Sequence, residues 1–247
     1  MKKALMSRLA LTGLLFLLLL SVFAASAPAT ALASDSTASA HGGAPQSGGR
    51  RDSKSPRIFN PGSKPYGKSY SEWAARWLEW TLEIPTPQNP LLDPDGTFCH
   101  VGQSGPVFFL GSNFGGESVR SCTVSAGKAV LASPGASVCL LHIDGETEEE
   151  LRRCALDGLA TISLATDVDG VAIDHLNKYF VLTSLVGFTL PEENVLELPA
   201  GEHQAVFAGY MLLFHPLPVG EHVIHLHDEF ADGFVSDVTY NLTVTPR

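Results

Sequence analysis

Tyr66 to Gly116 reads YGKSYSEWAARWLEWTLEIPTPQNPLLDPDGTFCHVGQSGPVFFLGSNFGG, and it carries all three tryptophans of the chain on one short segment that runs into a cysteine-bearing loop. Ser69 and Glu72 have capping-box spacing, while Pro85 and Pro87 stand where a helix must stop. Trp73, Trp77, Trp80 and Ile84 are spaced four, three and four, which puts them on one helical face. Glu72, Arg76, Glu79 and Glu83 make the opposite face, with Glu72 and Arg76 at pairing distance. The sequence predicts an amphipathic helix whose aromatic stripe docks on a sheet. The other reading is a carbohydrate-binding platform built from Trp73, Trp77 and Trp80, although sugar-stacking aromatics usually stand on sheet faces or loops.

Downstream the periodicity changes to that of strands separated by turns. Pro106 to Leu110 reads as a strand, Asn113 to Gly116 as a turn, Val119 to Val124 as the partner strand, and Ala129 to Ala132 as the next. A second helix is predicted over residues 148–156, with Thr147 and Glu150 as a capping box and Gly158 as its stop. Strands are then expected over 160–165, 171–173, 179–182, 187–190, 205–214, 222–226 and 238–245. Asp169-Gly170 is the hairpin turn between the first two of these, because that pair tolerates positive φ. Val238, Tyr240, Leu242 and Val244 alternate with Thr239, Asn241, Thr243 and Thr245, so one face of the last strand is buried. These elements predict a mainly β protein, a β-sandwich or jelly-roll-like domain with two short α-helices near its N-terminal half.

The chain begins with Lys2, Lys3 and Arg8, then an uncharged, leucine-rich run from Leu9 to Ala24, then small residues to Ala33. Residues 1–33 read as a signal peptide. The apolar run is short for a bilayer span and no basic stop-transfer cluster follows, so cleavage near Ala33 is expected rather than a retained anchor. Residues 34–56, SDSTASAHGGAPQSGGRRDSKSP, are a Ser/Gly/Pro-rich linker expected to be disordered. Residues 57–247 are then one disulfide-stabilised β-rich domain, secreted to an extracellular or periplasmic location with no membrane insertion after cleavage.

Losing the first 33 residues takes away three basic groups and no acid, moving the formal charge from −10 to −13. Such acidity disfavours nucleic acid as a partner; an extracellular protein, a glycan or a cation fits better. Cys99, Cys122, Cys139 and Cys154 suit two disulfides in an oxidising compartment. Three connectivities are possible, and sequential pairing is preferred because each pair brackets a short local unit. Zinc spacings of the CxxC type are missing.

Five of the nine histidines lie between His203 and His227. His225 and His227 share one face of a predicted strand, the geometry by which a strand offers two imidazoles to a transition metal. His215, Asp228 or Glu229 would complete such a site, and the bland reading is a solvated strand face. Asp167, Asp169 and Asp174 do not reach calcium-loop spacing. Ser104 in GQSGP lacks the nucleophile-elbow glycines, and Gly127-Lys128 lacks the rest of a phosphate loop. Asp93, Asp144 and Glu146 could form a glycosidase pair only if the fold set the separation. Asn241-Leu242-Thr243 is a glycosylation sequon.

The segments YGKSYSEWAARWLEWTLEIP, NPLLDPDGTFCHVGQSGPVFFLGSNFGG, SCTVSAGKAV, DVDGVAI and PLPVGEHVIHLHD resemble an uncharacterised family of secreted, mostly bacterial proteins. The resemblance spans nearly the whole expected domain and implies a shared fold, but it brings no activity, cofactor or site residue. This chain departs from it in having His227, Asp228 and Glu229 where the family has a glycine-rich segment after a single histidine. The functional expectation is a secreted binding or interaction module, with a metal-dependent extracellular enzyme using His225 and His227 as the alternative.

Overall fold

The computed structural model describes residues 56–247. The signal-peptide reading and all of the linker but Pro56 lie outside them. In chain order the elements are α1 (Tyr70–Glu83), β1 (Val107–Phe109), β2 (Gly116–Ser125), β3 (Ala129–Leu140), α2 (Glu148–Gly158), β4 (Ser163–Val168), β5 (Val171–Ala172), β6 (Phe180–Leu182), β7 (Val186–Leu190), β8 (Gly201–Phe214), β9 (Gly220–Glu229) and β10 (Val235–Thr245). Both helices start at the predicted capping boxes: the Ser69 and Thr147 hydroxyls accept from the Glu72 and Glu150 amides, and each glutamate reaches back to its cap backbone.

The strands form two sheets, and the protein is a mainly β sandwich. The first sheet runs β1-β3-β8-β6, with β7 also on β8, and the second runs β2-β10-β9-β4-β5. The expected pairing of β1 with β2 is not formed. β1 lies parallel to β3 in the first sheet, whereas β2 lies parallel to β10 in the second, from Gly116 beside Ser236 to Ser125 beside Thr245. The Asn113 side chain, bonded to Gly115, Gly116 and Ser118, turns the chain between the sheets instead of closing a hairpin.

Three apolar layers follow. α1 lays Trp73, Trp77 and Leu78 on Leu131, Phe207, Met211 and Leu213 of the first sheet. The opposite face of that sheet, with Val130, Leu212 and Phe214, meets Ile224, Leu226, Val238, Tyr240 and Leu242 of the second. Where the second sheet ends, α2 covers Cys139, Val206 and Ala208 with Leu151 and Ala155. The first sheet is therefore buried on both sides, which is why β8 is almost continuously apolar. The second sheet has one solvated face, so β10 alternates strictly between half-exposed and buried positions.

Disulfides join Cys99 to Cys122 and Cys139 to Cys154, the sequential pairing. The first ties the loop after α1 to β2; the second ties α2 to β3. Two disulfides are the mark of an oxidising environment. Among the described residues no helix is long and apolar enough to cross a membrane.

Candidate functional site

The tryptophan stripe is architecture. Trp73, Trp77 and Trp80 are between 4% and 7% exposed, and their indole N–H groups donate to the carbonyls of Pro65, Leu110 and Val101. No indole face is open for a sugar to stack on, so the platform formed by these three residues is set aside. The apolar face had more to gain from the first sheet than from water.

A second buried device was not foreseen. Arg120 occupies an inward position on β2 and is 1% exposed. Its guanidinium donates to the carbonyls of Asp93, Gly111 and Ser112 and to the Tyr240 hydroxyl, at 2.6 to 3.1 Å. Tyr240 also lies under the guanidinium, 5.5 Å from ring centroid to Cζ. The carboxylate of Asp93 is spent on the amides of Asp95, Gly96 and Phe98. At Gly96, with φ of +97°, a Cβ would stand 2.4 Å from the Ser121 carbonyl oxygen. Arg120, Gly96 and the Cys99–Cys122 bridge thus clamp the loop to β2.

The open face of the second sheet carries the chemistry. His225 and His227 point outward from β9, as their two-residue spacing predicts, while Ile224 and Leu226 point into the core. Register sets Asp167 of β4 beside His225, and Asp237 of β10 beside His227. His225 Nδ1 lies 3.2 Å from Asp167 Oδ2 and its Nε2 lies 3.0 Å from Asp237 Oδ1. His227 Nδ1 lies 2.9 Å from Asp237 Oδ2. Four side chains from three strands make one connected row, each about one-third exposed.

An imidazole that faces carboxylates through both nitrogens is best satisfied as imidazolium, donating twice. Partial burial opposes the charge on His225, but the hydrogen bonds and negative charges of Asp237 and Asp167 outweigh it and raise its pKa above the ordinary histidine value. Partial burial alone would push the Asp237 carboxyl up; the bonds from His227 and His225 override this and hold it below the usual carboxylate range. Next along β9, Asp228 faces the opposite way. It is 5% exposed in the core, and burial pushes its carboxyl up to about 6, with Ser236 and His227 only partly offsetting this.

The structure does not bring the remaining proposed ligands to the pair. His215 follows β8 in the first sheet and stacks on Phe59 with centroids 3.7 Å apart. Asp228 sits on the wrong side of its strand. Glu229 shares the outward parity but is exposed at the strand end. Among the described residues no group of three or more His, Cys, Asp or Glu is already disposed to hold a metal ion. Asp169 caps the hairpin instead of joining a calcium loop, accepting from the Val223 amide and pairing with His222. Asp144 accepts from the Leu140 amide, and Glu146 pairs with His142 on the surface. The glycosidase reading therefore has each of its carboxylates committed locally.

Sequence reasoning missed Asp237 and Arg120, and weighed Asp167 only for a calcium loop. Extending the β10 alternation back from Thr239 by two residues would have placed Asp237 on the solvated face. Asp167 was hidden because the strand was expected to end at Ala165. No protein-family model matches the chain, and no curated protein or solved structure does either.

Proposed function

We propose that this protein is an exported binding module that engages its ligand through the solvated face of the second sheet. The row of Asp167, His225, Asp237 and His227 is the observation that carries this reading. It concentrates exchangeable protons and alternating charge on the face that the core does not use. The other large polar investment, around Arg120, is sealed from solvent and serves the fold. The export signal, the spacer after it and the two disulfides support a site of action outside the cytoplasm. A cationic, protein or glycan partner suits the face, which also carries Glu117, Glu221, Thr239 and Asn241.

The experiment is a turnover screen against polysaccharides and carboxylic esters, with H225A and D237N as controls. The expected result is no hydrolysis that depends on either residue. Turnover that vanishes in H225A or D237N would replace the binding reading with a hydrolase. A metal-dependent extracellular enzyme is the second reading, favoured by one detail: both imidazoles lean on the same carboxylate. Turnover that is lost on chelation and restored by added metal separates the two, because that enzyme needs the ion for hydrolysis and a binding module shows no turnover with or without it.

A further inference from the structure

We infer that the solvated face takes up one divalent transition-metal ion, of the Zn2+ or Cu2+ class, between His225 Nε2, His227 Nδ1 and the carboxylate of Asp237. Asp167 acts as the orienting group for His225. This rests on the reading of that face as the ligand surface and names the chemistry of what it takes. The third ligand is Asp237, in place of His215.

Both nitrogens that would bind the ion already aim at one carboxylate, from 3.0 and 2.9 Å. Zinc bonds to nitrogen and oxygen of about 2.0 to 2.2 Å in a tetrahedral shell set neighbouring donors about 3.3 Å apart. Each nitrogen therefore has to move only a few tenths of an ångström from the carboxylate oxygen it already faces. The two rings, with centroids 6.3 Å apart, must also lean toward each other. In the structure the two imidazoles contact separate oxygens of Asp237.

Loading is an exchange of ion for proton. His225 binds through Nε2, any proton there leaving to water, and keeps its Nδ1 proton on Asp167. His227 binds through Nδ1, which requires its proton to sit on Nε2. Asp167 then holds His225 by the bond that a second carboxylate commonly makes to a metal-bound imidazole. Two imidazoles and one carboxylate select zinc or copper over calcium and magnesium, which prefer all-oxygen shells. Partial exposure of the row gives the ion an entry path and leaves a fourth position for water or for a ligand group.

The test is calorimetric titration of chelator-treated protein with ZnCl2 at pH 7.5 or so, for wild type, H225A/H227A, D167N and H215A, with circular dichroism confirming the fold of each. One Zn2+ per chain is expected for wild type and H215A, no binding by the double variant, and affinity weakened roughly 10- to 100-fold in D167N. If the double variant does not fold, H225Q/H227Q replaces it with the same expected loss. No zinc uptake by wild type, uptake that survives loss of both histidines, or uptake lost in H215A overturns the inference. A glycan or peptide that binds wild type but not D237N, with no zinc uptake by wild type, sinks the metal site and leaves the binding face standing. If H225A-dependent hydrolysis also proceeds in chelator, both readings fall.

Discussion

The two sheets of the sandwich use charge in opposite ways. The first is covered by α1 on one side and by the second sheet and α2 on the other, and its long strand β8 is nearly all apolar. The second is covered on one side only, and the same strands that send Tyr240, Leu226 and Arg120 inward send Asp237, His225 and Glu117 outward. Burial on both faces leaves no place for reversible chemistry. A buried cation such as Arg120 is held by fixed carbonyl partners, whereas a group on the open face can exchange its partner for a proton, an ion or a ligand.

Removing the buried charge should have the largest effect. R120M leaves the Asp93 and Ser112 carbonyls without their donor while Gly111 keeps the Tyr240 hydroxyl, and a loss of about 2 to 5 kcal/mol is expected from urea unfolding, since each buried acceptor left unpaired costs about 1 to 3 kcal/mol. A loss below about 1 kcal/mol would mean that the clamp is not what holds the loop to β2.

Asp228 is a charge on the wrong side of the sheet. Its carboxyl is raised from 3.8 to about 6, so the folded protein holds this proton more tightly than the unfolded chain. Stability therefore falls as pH rises from about 4 to 6 and stays lowered above that. D228N removes that titration. It should leave stability unchanged near pH 3 and raise it at pH 8 by up to about 3 kcal/mol, since the shift is roughly two pKa units at 1.36 kcal/mol each. A variant that is less stable than wild type at pH 8 would show that the ionised carboxylate is accommodated.

His225 should give a smaller change of the opposite dependence. Its pKa is raised in the fold, so its contribution is complete below about pH 6.5 and disappears as pH climbs through the raised value. Because the row is one-third exposed, solvent screening limits the effect to about 0.5 to 1 kcal/mol. H225A should be destabilised at pH 6 and match wild type at pH 9 in thermal unfolding; a penalty that does not vary with pH would contradict the ion pairing. Smallest of all, soluble oligosaccharides should leave tryptophan fluorescence unchanged, since all three indoles are buried.

Much of the fold was legible because its signals were local. The Ser69 and Thr147 capping boxes, the Asp169-Gly170 turn and the alternation of Val238 to Val244 each depend on residues a few positions apart. Pairing was not legible where partners are distant. β2 chooses β10, more than a hundred residues away, and only the closed sheet reveals it. β3 was expected to end at Ala132, and it continues past Pro134 through a register shift between Ala132 and Gly135, a bulge that spares the sheet a proline inside its ladder. Half of the candidate row could be found from His-x-His parity. The carboxylates that give it chemical meaning come from β4 and β10, and cross-strand register is a property of the fold.

The direct measurement is long-range 1H–15N NMR of the imidazoles in chelator-treated protein, followed from pH 5 to 9 or so. His225 is predicted to remain doubly protonated after an ordinary exposed histidine has lost its proton, and its titration is predicted to move down in D167N and D237N. If His225 titrates at or below the ordinary histidine value, and neither substitution moves it, the row does not act as a connected unit and the solvated face loses its claim to be the site.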